Sequence, residues 1–197
     1  MLQLHEKTKL NKQLPKKAIY AKFNLKPVAR EKFDADVSRI SIINEVSSVT
    51  TAIGKGKSIE SFFVMLVLLK HEKFDEKNIT LLSKLIEQRM LFVLQYGERA
   101  KLAVVHGKLH KTDWMPTDEL KIELQGLNFD TVWENIVVQI GSIQIEQGYS
   151  LEEQLQLDEQ RNKLDKQIES LERQARAEKQ PRRKFELVQE IKKLERQ

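Results

Sequence analysis

Cysteine is absent from this chain of 197 residues, which removes structural disulfides, thiolate metal ligands and thiol nucleophiles together. Long apolar runs are missing too. The longest, Phe62 to Leu69, falls far short of the roughly 20 residues that a membrane-spanning helix needs. The opening stretch MLQLHEKTKLNKQLPKK carries charges where a secretory signal has its apolar core, so neither export nor membrane insertion is expected and the cytoplasm is the expected compartment. There is no G-x-S-x-G elbow to expose a serine nucleophile, and neither an internal repeat nor a low-complexity tract occurs.

What is present describes a folded chain with a heavily solvated surface. Hydrophobic residues make up 40% and charged residues 32%, and a disordered chain would be poorer in Leu, Ile, Val and Phe. The length suits one core of ordinary domain size plus an appendage. The formal net charge of +5 is unevenly spread. Residues 1–32 hold nine Lys/Arg against Glu6 and Glu31, whereas residues 151–197 balance twelve bases with eleven acids. The positive field therefore sits at one end, the arrangement expected of a surface that seeks anions or acidic partners.

Local patterns give the elements. Pro15 opens a short helix over 16–23 with Ile19 and Phe23 on one face, and Pro27 opens a second to about Arg39 around Phe33 and Val37. Ile40 to Ile53 reads as a strand that ends in a turn at Gly54-Lys55-Gly56-Lys57, and Ile59 to Leu69 as a central strand covered on both faces. Asp75 caps a helix to about Gln88, Met90–Gln95 and Lys101–His106 form a hairpin, and Leu120–Leu124 alternates as a further strand. Asn128 caps a helix whose Phe129, Val132, Trp133, Ile136, Val137 and Ile140 share one face. Ser150 and Glu153 then make a capping box for a charged helix that Pro181 interrupts. The expected fold is α+β over residues 1–149, a mixed or antiparallel sheet of about five strands packed by amphipathic helices. A coiled-coil-like antiparallel helical hairpin is expected at 150–197, with Leu164, Ile168, Leu171 and Ala175 as its seam and Arg161 interrupting that seam upstream.

Each candidate site has two readings. Lys9, Lys12, Lys16, Lys17 and Lys22 form a basic amphipathic segment that either neutralises a nucleic-acid backbone or simply solvates the protein. Around the hairpin turn, Arg176, Lys179, Arg182, Arg183 and Lys184 either reach a protein partner or are exposed charge at a tip. The seam residues Leu164, Ile168 and Leu171 are partner-binding candidates, with self-association as the alternative. His106, His110 and Asp113 have metal-like spacing but no third ligand on a matched element, so the expectation is surface histidines, with no metal and no cofactor. Glu119-x-Lys121 on the strand at 120–124 is the pattern of metal-dependent nucleases, though Asp75-x-Lys77 and Glu190-x-Lys192 match it equally. A phosphate loop needs its GKS or GKT after a longer glycine-bounded loop that opens a helix, whereas Gly54 and Gly56 follow one strand and precede another, so the Gly54–Lys57 run reads as a hairpin turn.

LNKQLPKKAIYAKF at 10–23, FDTVWENIVVQIG at 129–141 and RQARAEKQPRRKFELVQEIKKL at 173–194 together resemble a bacterial family known as domain of unknown function 4391. The resemblance runs the whole length and carries no catalytic signature. It implies a genetic setting beside restriction-modification or defence-type helicases and DNA methyltransferases, and so a large protein of that type as partner. The expected function is a non-enzymatic accessory subunit of a DNA-processing or anti-phage complex, with a metal-dependent nuclease and a self-associating structural protein as alternatives.

Overall fold

The computed structural model describes residues 2–195 and divides into two units, Met1–Gln144 and Ile145–Gln197. The first is a mixed sheet with helices on both faces. Strands β1 (Lys9–Leu14), β2 (Val37–Ser47), β3 (Ser61–Leu69), β4 (Arg89–Tyr96), β5 (Arg99–His106) and β6 (Lys108–Lys111) lie in sequence order, and β7 (Met115–Pro116) also pairs with β5. Every pairing is antiparallel except β3 with β4. That exception follows from the connection, since parallel neighbours need a crossover and the chain between them carries the helix α3 (Lys77–Leu82). β4 and β5 close through a tight turn in which Gly97 takes φ +58°, a left-handed value that a side chain would resist.

One face of the sheet is covered by α1 (Lys16–Lys22), α2 (Pro27–Asp36) and α3. Ile19, Phe33, Ile79 and Leu82 from these helices form a single core with Ile40, Ile42, Met65, Val67, Phe92, Leu94 and Ala103 from the strands. The opposite face takes α4 (Phe129–Gly141), whose six expected apolar residues are all buried and whose Phe129 and Trp133 rings meet Phe62 at 6.2 and 5.6 Å.

Several expectations need correction. The sheet has seven strands rather than about five, because β1 and β6 lack an apolar alternation that sequence could show. No strand forms over 120–124. Lys121 makes one isolated bridge to Leu2, which leaves the alternation of Leu120 and Ile122 as two buried anchors of an otherwise irregular segment. The helix after Asp75 ends at Leu82, not Gln88. The most continuously buried strands are β4 and β5, whereas β3 alternates.

The second unit contains α5 (Leu151–Ala177) and α6 (Pro181–Leu194), which pack against each other. The Ser150–Glu153 capping box is present: the Glu153 amide donates to Ser150 Oγ at 3.3 Å and the Ser150 amide to Glu153 Oε2 at 2.8 Å. The bonds that the Glu153 carboxylate accepts from the Ser150 amide and the Ser150 hydroxyl, each at 2.8 Å, hold it below the usual range. Of the four expected seam residues Ala175 is buried and Leu164, Ile168 and Leu171 are half-buried, Leu151 and Gln154 are buried nearer the start of α5, and on α6 Ile191 is buried with Leu187 and Val188 half-buried. Arg161 lies outside the seam and pairs with Glu146 at 2.9 Å.

Candidate functional site

The basic N-terminal segment is built from β1 and α1, joined by Pro15. β1 is the edge strand next to β2, and its Lys9–Gln13 are exposed on both faces while Leu14 is half-buried against the core. It is anchored by the buried Asn44 on β2, whose amide donates to Thr8 Oγ1 at 2.7 Å. Lys9, Lys12, Lys17 and Lys22 are exposed, and Lys9 holds a surface pair with Glu6 at 2.7 Å. Lys16 departs from the expected set. Its ammonium turns inward, 2.7 Å from Asp34 Oδ1 and hydrogen-bonded to the Val37 carbonyl, so it fastens α1 to the end of α2 instead of facing a ligand.

Asp34 is the hub of that fastening. Tyr20 donates to the same Oδ1 at 2.5 Å, and the Arg30 guanidinium lies over the Tyr20 ring at 5.6 Å. Burial pushes the Asp34 carboxyl up, but the hydrogen bonds from Lys16 and Tyr20 outweigh it and hold the group below its ordinary value. The Tyr20 phenol is pushed up to about 12, first by burial and then by the bond to a carboxylate that ionisation would oppose.

Just past Gly56, the backbone amides of Lys57, Ser58 and Ile59 form an anion cradle whose occupant belongs to the chain. Asp130, in the first turn of α4, accepts from the backbone amides of Lys57 at 2.6 Å, Ser58 at 3.2 Å and Ile59 at 2.8 Å. Successive amides turned toward one carboxylate make a nest of the kind that elsewhere binds phosphate. Gly56 is required by this closeness, since a Cβ there would stand 2.4 Å from Asp130 Oδ1. Sequence reasoning missed Asp130. The available signal was an acid in the first turn of a helix, which suits the dipole but does not name a partner 73 residues away.

The remaining sequence candidates are dispersed. His110 is buried rather than on the surface, with Nε2 3.2 Å from the His106 carbonyl oxygen, and burial pushes its pKa down. Asp113 is exposed, and among the described residues no group of three His, Cys, Asp or Glu side chains is placed to hold a metal ion. Glu119 sits in a turn, its amide donating to the Pro116 carbonyl at 3.2 Å, and Lys121 on the isolated bridge, so the strand that the nuclease pattern presupposes is not there. Arg182 and Arg183 stand at the start of α6, Arg182 in an exposed pair with Glu186 at 3.5 Å and Arg183 paired with the half-buried Glu178 at 3.7 Å.

Residues 2–197 match the model of a family described as a domain of unknown function, DUF4391. The chain belongs to this family. No curated protein and no solved structure matches it. No helix among the described residues of this DUF4391 chain is long and apolar enough to cross a membrane.

The DUF4391 chain also holds a buried lysine that sequence reading passed over. Lys101 on β5 lies 4.5 Å from the Trp114 ring centroid and 5.7 Å from that of Phe74. Burial, with the nearby Lys111 second, lowers its pKa, while Glu76, Asp113 and Glu72 pull the other way. Around it Arg99 pairs with Glu72 at 2.9 Å and donates to the Trp114 carbonyl at 3.3 Å, and Lys111 pairs with Glu76. The aromatic faces favour the charged form and burial opposes it, so Lys101 clamps two loops onto the sheet at the cost of easy protonation. Its signal was a lone lysine in the strand RAKLAVVH, at a position where alternation calls for an apolar residue.

Proposed function

We propose that this chain is a non-enzymatic accessory subunit of a bacterial DNA-processing or anti-phage complex. Its basic N-terminal segment contacts nucleic-acid phosphates. Helices α5 and α6, paired as an antiparallel coiled-coil-like hairpin, dock a larger protein of helicase or methyltransferase type through Leu164, Ile168, Leu171, Arg182 and Arg183. The observation that carries the reading is the exposure of Lys9, Lys12, Lys17 and Lys22 along β1 and α1. Such lysines release counterions when they meet a phosphate backbone, and the exposed Lys9–Glu6 pair is weak enough to yield to one.

The test is duplex binding by fluorescence anisotropy across a salt series. Changing Lys12, Lys17 and Lys22 together to Gln should lower the slope of log affinity against log salt by about three. Lys16 is left alone because its loss would disturb Asp34. Absence of duplex binding at low salt, or one slope shared by parent and variant, would remove nucleic acid as the ligand of this segment.

Self-association through the hairpin is a second reading. It is favoured by the half-exposed state of Leu164, Ile168 and Leu171, which leaves part of the seam for a second chain. A monomeric mass at all concentrations in light scattering would sink it.

A further inference from the structure

Where α5 gives way to α6, the chain gathers five exposed cations, Arg176, Lys179, Arg182, Arg183 and Lys184, against Glu178 as the one acid between positions 176 and 184. Next to them Phe185 is 63% exposed. The Arg182–Glu186 and Arg183–Glu178 pairs are long, at 3.5 and 3.7 Å, and their arginine side chains are 93% and 71% exposed. Pairs of this kind exchange readily for a stronger anion. A cleft of about 520 Å³ adjoins them, with Ala177 and Leu187 as its apolar lining and Lys179 and Arg183, beside the single acid Glu178, as its charged lining.

We propose that this junction is a contact site for single-stranded nucleic acid, in which an unpaired base stacks on Phe185 while Lys179, Arg182, Arg183 and Lys184 take the flanking phosphates. An open aromatic face among cations is the recognition set for strands whose bases are free. A duplex presents phosphates but keeps its bases stacked inside, and an acidic peptide would engage the cations while leaving the ring unused. The inference takes its ligand class from the proposed function, places that ligand away from the N-terminal lysines, and gives Arg182 and Arg183 a phosphate contact in place of the protein contact assigned to them there.

The experiment uses the full chain carrying the Lys12, Lys17 and Lys22 substitutions to Gln, so that the N-terminal contact is silenced. A labelled oligothymidylate is titrated by anisotropy. Phe185→Ala should weaken binding about tenfold with the salt slope unchanged, and Phe185→Trp should restore it. Changing Arg182, Arg183 and Lys184 together to Gln should lower the slope by about two. No oligothymidylate binding, equal binding by Phe185→Ala, or equal competition by a duplex overturns the proposal. Equal competition by polyglutamate also overturns it and marks the junction as a dock for an acidic protein. If the N-terminal substitutions leave duplex binding untouched while Phe185 still governs the single strand, the junction stands and the N-terminal reading falls.

Discussion

The Asp130 carboxylate accepts the Lys57 amide at 2.6 Å across 73 residues of sequence, and so ties the loop entering β3 to the first turn of α4. The tie joins the sheet to the helix on its second face, and Gly54 reinforces it by exchanging backbone hydrogen bonds with Leu127 at 3.1 Å and Phe129 at 3.0 Å. Asp130→Ala strips three amides of their acceptor and should cost about 2 kcal/mol in a urea melt. Gly56→Ala should cost at least as much, because its Cβ would displace the carboxylate and would stand 2.7 Å from the Ile59 carbonyl. If both variants melt with the parent, the clasp contributes nothing to stability.

A second prediction concerns alkali and acid. Tyr20 has a folded pKa raised to about 12 from 10.0, so its contribution is complete below pH 10 and is lost as pH climbs toward 12. Asp34 is shifted the other way. Its contribution is present above its unfolded value of 3.8 and fades as pH falls through the lower folded value. A tyrosinate absorbance titration should show a step near 12 that Tyr20→Phe abolishes, and Lys16→Met should move that step by disturbing Asp34. A titration in which Tyr20→Phe removes no late step would refute the assignment.

Such contacts mark where sequence stops being legible. Helix α4 was readable in full because its cap Asn128 and its apolar face lie within fourteen consecutive positions, and the Ser150–Glu153 box was readable for the same reason. Helix signals are local. β1 was invisible because a strand exposed on both faces has no alternation to show, and Leu120–Leu124 misled because Leu120 and Ile122 are buried without a neighbouring strand to pair. The charge of the N-terminal segment could be counted, but the inward turn of Lys16 depends on Asp34, eighteen residues on. Asp130 and Lys101 act through partners that only the folded chain brings near.

Lys101 gives a third prediction, with the opposite sign from most lysines. Its folded pKa is lowered, so the unfolded chain binds the extra proton between that value and 10.5, and stability rises with pH across this window. Lys101→Met keeps the stem against Trp114 and Phe74 and removes the buried ammonium, so it should fall within about 1 kcal/mol of the parent, on the stabilising side. The rise with pH should disappear with it. Thermal melts at several alkaline pH values read both effects, and a strongly destabilised Lys101→Met would instead make the cation–π contacts dominant.

The last prediction concerns the seam of the second unit. Ala175 and Ile191 are buried there while Leu164, Ile168 and Leu171 are only half covered, so the interface is narrow and rests on few side chains. A narrow seam cannot hold two helices by propensity alone, because helices of this length depend on packing for most of their stability. Replacing Leu164 and Leu171 by Ser removes roughly half of the α5 side of that seam. Helical content should drop in circular dichroism, whereas the melt of the sheet unit, followed by the fluorescence of Trp114 and Trp133 in Met1–Gln144, should be unchanged. A chain truncated after Gly148 should show that same fluorescence melt, since the two cores of the sheet are assembled from residues before Gly141. If the serine variant or the truncation melts the tryptophan signal early, the two units are not independent and the hairpin supports the sheet.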